Sequence, residues 1–538
     1  MQPCGRDRRL KAQGSNTGSN PMRDLSPARW NAGAAVVTAW LAAFGVSADA
    51  HELRIEHVTI VSPERSSPLR DATVSIRDDR IVSISAPTKR ARSPKTADRV
   101  IDGRGLYLVP GLIDSHVHVN EVPGMTAPQE QAHPDIARAA REQIPRSYLY
   151  FGFTTLVDLI STPAQVADWN AHETHPDLYF CAAAPIMDGY PMSWSPKPQR
   201  YQPFPYMLIE PGEHVTVPAG FDQSKQTPQA VVARIKADGA TCIKSFFERG
   251  FGDDKNLPVP QLDTIRTLVQ AAHEARMPVF LHANGAEAQA FALKAGVDAI
   301  AHGLWHWGDP AAGPELTPAT KQVLDGVLES RMGWQPTLQV LYGELDLFEP
   351  SYLSDPQLTR VLPAGLIEWY RSAEGQWFHD VLNSNVLPKD AAESNDAAAK
   401  RNAARTFFEP YIARNRTAMA YLAKHDARFL FGTDTPSAPT YANPPGLNAW
   451  LEMRRLVEAG LTPGQIFRAA TLNNAEAVGL GHEIGTVQAG KRANLLLLRR
   501  DPTVDIQAYD DIASIILHGR VFAREEFAAD GGREPPKH

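Results

Sequence analysis

From residue 106 onward the chain alternates two textures, near-continuous apolar runs of five to eight residues and longer stretches of helical periodicity. A run apolar at every position is what a strand buried on both faces requires, and helices between such runs are the crossovers of a parallel sheet. The pattern predicts strands at 111–118, 154–159, 178–185, 241–246, 278–282, 299–302, 333–340 and 428–433. Eight such runs predict an α/β fold, a distorted (β/α)8 barrel of the TIM type. Ahead of it, 53–61 and 72–84 alternate apolar and polar residues, broken by Pro63, Pro68 and Asp78-Asp79, and read as short antiparallel strands. Behind it, 463–480 reads as a helix and 485–522 returns to strands. The predicted division is 51–109 and 481–538 for a small β domain and 110–480 for the barrel.

Two connections are longer than the fold needs, 186–226 and 342–426. The first is rich in proline and aromatics, with Tyr190, Trp194, Tyr201, Phe204 and Tyr206 close together; the second is mostly helical in pattern. Both leave the C-terminal face of the barrel, where this fold keeps its active sites. They either wall a pocket or pack as a surface between copies of the chain, a homo-oligomer.

Composition changes this picture little. The 538 residues are 43% apolar and 21% charged, which excludes collagen-like, disordered and coiled-coil classes. A net charge of -7 without a long Lys/Arg run lacks the electrostatic footprint of a nucleic-acid partner. The N-terminus adds more. Arg23 and Arg29 precede an apolar run at 32–46, too short to span a bilayer, and Ala48-Asp49-Ala50 offers a small-x-small cleavage site. Residues 1–50 are therefore expected to be an export signal, leaving a periplasmic or secreted chain that begins at His51 and has no membrane attachment. Translation from Met22 would give a signal of more usual length. Three cysteines make no disulfide framework, and Cys181 and Cys242, on adjacent predicted strands, read as buried free thiols.

The chemistry sits where the apolar runs end. His116 and His118 are two apart, so on a strand both project to one side, a start for a divalent metal site. Lys244 follows Thr-Cys-Ile, His282 follows Pro-Val-Phe-Leu, His302 follows Ala-Ile-Ala, and Asp434 follows Phe-Leu-Phe-Gly-Thr. Any one of these alone reads as a core histidine or a capping aspartate. Six at strand ends point to one site. Asp114 shares the inward face of His116 and reads as orienting a ligand.

These motifs resemble the amidohydrolase superfamily of metal-dependent hydrolases, nearest its imidazolonepropionase-like and prolidase-like branch. The resemblance rests on the stretch from Tyr107 to His118, on Gly152-Phe-Thr-Thr-Leu-Val-Asp, and on the closing run from Gly485 to Leu495. It runs over residues 51–523. It implies a composite β-sandwich built from both chain ends, and a barrel carrying one or two metals. By the same resemblance His116, His118 and Asp434 hold one ion, His282 and His302 the second, and Lys244, carboxylated by carbon dioxide, bridges both. One departure is Asn494, where many members have Asp.

Two divalent ions, zinc by default for mixed imidazole and carboxylate ligands, would share a hydroxide that attacks an amide, imide or peptide-type carbonyl of a small molecule. Asp434 is the expected proton carrier from that water to the leaving nitrogen. Tyr190, Trp194, Tyr206 and His306 are the expected pocket residues. The alternatives are a mononuclear deaminase, whose usual Glu three residues after the fifth-strand histidine is Gly285 here, and an inactive scaffold of the same fold, which would have lost ligands.

Overall fold

In the computed structural model the described residues are 52–531, without 87–96, 198, 211, 213–215, 251–255 and 310–312. The expected export signal at 1–50 lies outside them.

Five strands open the described chain: β1 (Glu52–Ile60), β2 (Leu69–Arg77), β3 (Arg80–Ser85), β4 (Arg99–Asp102) and β5 (Tyr107–Pro110). Three close it: β13 (Leu495–Leu498), β14 (Ile512–Leu517) and β15 (Arg520–Phe522). All eight pair in one mixed sheet, in the order β15-β14-β13-β5-β1-β2-β3 with β4 also on β1, so both chain ends build it together. In β1 the alternation skips a step at His57, whose φ of +59° makes a one-residue irregularity between Ile55 and Val58. That extra residue keeps Leu53, Ile55, Val58 and Ile60 all on the apolar side. The unbroken Leu495-Leu-Leu-Leu of β13 is buried on both faces. Leu495 and Leu497 enter the small core, and Leu496 and Leu498 the barrel's.

Between them run seven parallel strands: β6 (Leu112–Val117), β7 (Phe153–Asp158), β8 (Asp177–Ala183), β9 (Cys242–Phe246), β10 (Val279–His282), β11 (Ala299–Ala301) and β12 (Gly333–Gln335), neighbours in that order. The expected eighth run is present but is not a regular strand. Trp334 N–H donates to Arg428 O (3.1 Å) and Ser115 N–H to Phe431 O (3.0 Å), so the segment joins the sheet's two edges. It turns at Asp434, whose φ of +58° cannot continue an extended ladder. The expected strand at 333–340 also stops early. Thr337 adopts a left-handed φ of +42° and Leu338–Asp346 is a helix, so the apolar run there belongs to a packed helix.

The barrel interior is filled by Val157, Cys181, Cys242, Phe280, Ala299 and Leu430. Cys181 and Cys242 are register partners on β8 and β9 and form a disulfide, which corrects the expectation of free thiols. Strand pairing brought them into contact across 61 residues of chain, a proximity their spacing does not announce. The insertion after β12 is helical, ending in Ala397–Lys424, which Asp396 caps by accepting the Ala398 N–H at 2.8 Å. No helix among the described residues is long and apolar enough to cross a membrane.

Candidate metal centre

On a parallel strand alternate residues face inward, so Cys242 and Lys244 of β9 and Phe280 and His282 of β10 share the interior, the polar member nearer the C-terminal end. The barrel thus has an apolar floor and a polar rim. Asp434 is the hub of that rim. Its Oδ1 is 2.9 Å from His116 Nε2 and 3.0 Å from His118 Nε2, and its Oδ2 is 3.7 Å from His302 Nδ1. Ligand-type atoms of His116, His302 and Asp434 all lie within 4.8 Å of one another. The rings of His282 and His302 are 4.4 Å apart, and those of His116 and His302 5.0 Å. Two of these residues hold a left-handed backbone, His302 at φ +79° and Asp434 at +58°. Such strain in non-glycine residues is kept where the surroundings demand it.

The electrostatics follow from burial. Burial opposes the charge on Asp434, but the His116 and His302 charges and the hydrogen bonds of His116 and His118 outweigh it and hold the carboxyl well below its usual range. Burial pushes His116 down to about 3, helped by the Lys244 charge. His118 goes the other way, to about 10, because the Asp158 and Asp434 carboxylates overcome its burial. Lys244 is 1% exposed, and burial brings its amine down to about 7 against the pull of Asp434. Its Nζ and the Nδ1 of His116 are buried without a hydrogen-bond partner among the described residues. An orphaned buried amine among imidazoles and a carboxylate is a donor set suited to a divalent cation.

All six expected ligands therefore converge. Glu248, Thr337 and Asp158 join them; Asp158 closes the Gly152-Phe-Thr-Thr-Leu-Val-Asp motif, and the sequence marks neither of the other two. Glu248 Oε2 is 3.1 Å from His282 Nε2 while its Oε1 accepts the Gly250 N–H at 2.9 Å. Thr337 Oγ1 is 3.2 Å from His302 Nδ1, and Asp158 Oδ1 is 3.7 Å from His118 Nδ1. Asp158 on the Nδ1 of His118 leaves its Nε2 turned inward to Asp434. Asp114 is fully buried and accepts from Thr433 Oγ1 (2.7 Å) and from the His116 and Thr433 N–H groups (3.1 Å each). It ties β6 to the Asp434 segment.

Of the expected pocket residues, Tyr190 stands 4.7 Å from the His282 ring, and Trp194 packs edge-on to Tyr190 at 4.9 Å. The exposed His306 ring lies 5.1 Å from Tyr411. Tyr206 is elsewhere. It is 5% exposed, donates to Asp238 Oδ2 at 2.5 Å and lies under the Arg234 guanidinium, so it is a packing residue behind the site. An amphipathic ring near other aromatics in sequence gives no sign of which wall it serves.

The Amidohydrolase family profile matches residues 107–312 and 358–522, well over half of the chain. The chain belongs to the amidohydrolase family. Among characterised relatives it is 39% identical over 67 residues to a 5'-deoxyadenosine deaminase of Methanothermobacter thermautotrophicus, covering 12% of this chain and 15% of that protein. It is 44% identical over 41 residues to an imidazolonepropionase of a Geobacillus strain, 8% of this chain and 10% of that one. The chain thus aligns with 15% or less of the length of either relative. Among solved structures a Xaa-Pro dipeptidase with bound methionine superposes with a TM-score of 0.58 at 19% identity, over 88% of this chain and all of that one, which shows a common fold.

Proposed function

We propose that this centre takes two divalent ions, zinc by default, and cleaves an amide, imide or peptide-type bond. His116, His118 and Asp434 would hold one ion, and His282 and His302 the other. Lys244 would bridge them as a carbamate. The observation that carries this is the buried, unpartnered Lys244 amine. A neutral amine can attack carbon dioxide at nitrogen, lose one proton, and become an anion with two oxygens, suited to a place between cations where an ammonium would be repelled. When bound, the ions would supply an acidified water and polarise the scissile carbonyl. Asp434 would accept the water's proton at a carboxylate oxygen and deliver it to the leaving nitrogen. Asp158 would keep the His118 imidazole turned inward.

The compact trio of His116, His302 and Asp434 suffices for a single ion, and a mononuclear deaminase is the second reading. Elemental analysis separates the two. About two metals per chain, and loss of amide hydrolysis in Lys244→Ala, support the first. One metal with a fully active Lys244→Ala variant supports the second.

The Cys181–Cys242 disulfide supports export, because such bonds persist in oxidising compartments. The mature chain would then begin at His51. N-terminal sequencing of the periplasmic fraction that found residues upstream of Arg29 would overturn this.

A further inference from the structure

Seven large apolar side chains are exposed among the described residues, and five of them are valines. The other two are aromatic, Trp194 at 61% and Phe407 at 38%, and each belongs to one of the two long insertions. Each is also the outer rung of a ladder that ends on a histidine at the barrel mouth. Trp194 packs on Tyr190 (4.9 Å), and Tyr190 on His282 (4.7 Å). Phe407 packs on Tyr411 (5.7 Å), and Tyr411 on His306 (5.1 Å). Both outer pairs are four residues apart in sequence.

The sheet order gives the two ladders a common purpose. One insertion leaves after β8 and the other after β12, and between those strands lie only β9, β10 and β11. These three carry or lead into Lys244, His282 and His302. The feet of the ladders meet there. Ala286 N–H donates to His306 O at 2.8 Å, and His306 N–H to Asn284 O at 3.1 Å, two residues beyond His282. Four strand spacings of about 4.8 Å separate the two points of departure, so at most about 19 Å lies between them, the width of a small molecule with a wall on either side. Ring faces and edges discriminate in favour of other rings.

We infer that the two ladders are a substrate subsite, and that the amide cleaved at the polar rim belongs to a molecule carrying an aromatic ring beside the scissile bond. This rests on the amide-hydrolase reading above and adds the substrate class to it.

The test uses the metal-loaded full chain and matched pairs of substrates, N-benzoyl-L-alanine against N-acetyl-L-alanine and N-acetyl-L-phenylalanine against N-acetyl-L-alanine. The aromatic member of each pair should have the lower KM. Trp194→Ala and Phe407→Ala should each raise that KM roughly two- to twelvefold, the scale of one ring–ring contact, several times more than they raise the aliphatic KM, with metal content unchanged. Trp194→Phe should restore most of the loss. Equal KM changes for aromatic and aliphatic substrates, or none, overturn the subsite. If no member of the panel is hydrolysed, the amide reading fails, and calorimetric titration of N-benzoyl-L-phenylalanine then tests the subsite alone. Binding lost in the double variant upholds it; no binding, or equal binding by both proteins, overturns it.

Discussion

Two carboxylates at opposite ends of the barrel, Asp434 buried and Asp177 partly buried, each gather histidine and other polar groups. Asp434, at the C-terminal face, meets His116, His118 and His302. Asp177, where β8 begins, meets His518 (2.8 Å), Arg492 (3.2 Å) and Asn494 (2.8 Å) from the small sheet. What differs is satisfaction. Asp177 accepts from three donors, Asn494 uses its other end to accept the His518 N–H at 2.8 Å, and the buried Arg492 Nε, which makes no hydrogen bond, has the Glu483 carboxylate at 3.6 Å as its counter-charge. Around Asp434 a lysine amine and an imidazole nitrogen are buried with no partner among the described residues. A cluster in which each charge meets a counter-charge from the other domain glues the two in place, whereas an amine buried with neither hydrogen bond nor ion pair is left available for a ligand. Charge clustering alone does not separate the two.

The largest effect should come from Asp434→Asn. It keeps an oxygen in place but removes the base, so turnover should fall by roughly a hundredfold or more. Near-normal turnover would remove Asp434 from proton transfer. Lys244→Met sharpens the comparison in the opposite sense. It should abolish turnover yet raise the stability of the metal-free protein by roughly 1–3 kcal/mol, the usual cost of an unsatisfied buried polar group. Denaturant titration checks this, and a loss of stability would make Lys244 structural.

At the other end the signs reverse. Asp177→Asn should lower stability by roughly 1–3 kcal/mol, the range for hydrogen bonds to a charged group, and leave kcat intact. Burial opposes the Asp177 charge, but His518, Arg492 and Asn494 hold its carboxyl below the usual range. A depressed folded value means that this stability is present above the unfolded pKa of about 3.9. It is lost as pH falls through the folded value, so wild type and variant should converge in acid. Denaturant midpoints measured across that range check the sign.

The smallest effect expected is from Asn494→Asp. It sets a second carboxylate against Asp177 and should cost about 1 kcal/mol, the worth of a typical hydrogen bond, at neutral pH. Protonation in acid should relieve that loss, and an unchanged melting temperature at pH 7 would show that Arg492 and His518 absorb the added charge.

How far these regions were legible before folding differs for a physical reason. The eight apolar runs, the small strands at both ends and the six metal-type residues were readable because burial on both faces and a polar residue closing a run are local patterns. The same patterns misread 333–340 as one strand, since apolar periodicity does not distinguish a short strand followed by a buried helix, and the turn at Thr337 depends on its partner His302. They also placed Tyr206 in the pocket and left Cys181 and Cys242 unpaired.

What the sequence by itself determined is therefore the inventory: which segments are buried, which residues can bind cations, and that two long insertions leave the barrel's C-terminal end. Tertiary structure decided the assignments. Register between β8 and β9 joined the cysteines. A loop beyond β9 brought Glu248 to His282, and two insertions far apart in sequence set Trp194 and Phe407 on ladders that meet at one strand end. Burial is set by a residue's own chemistry and its near neighbours, whereas hydrogen bonds and ring contacts across 30 to 300 positions exist only once the chain has closed on itself.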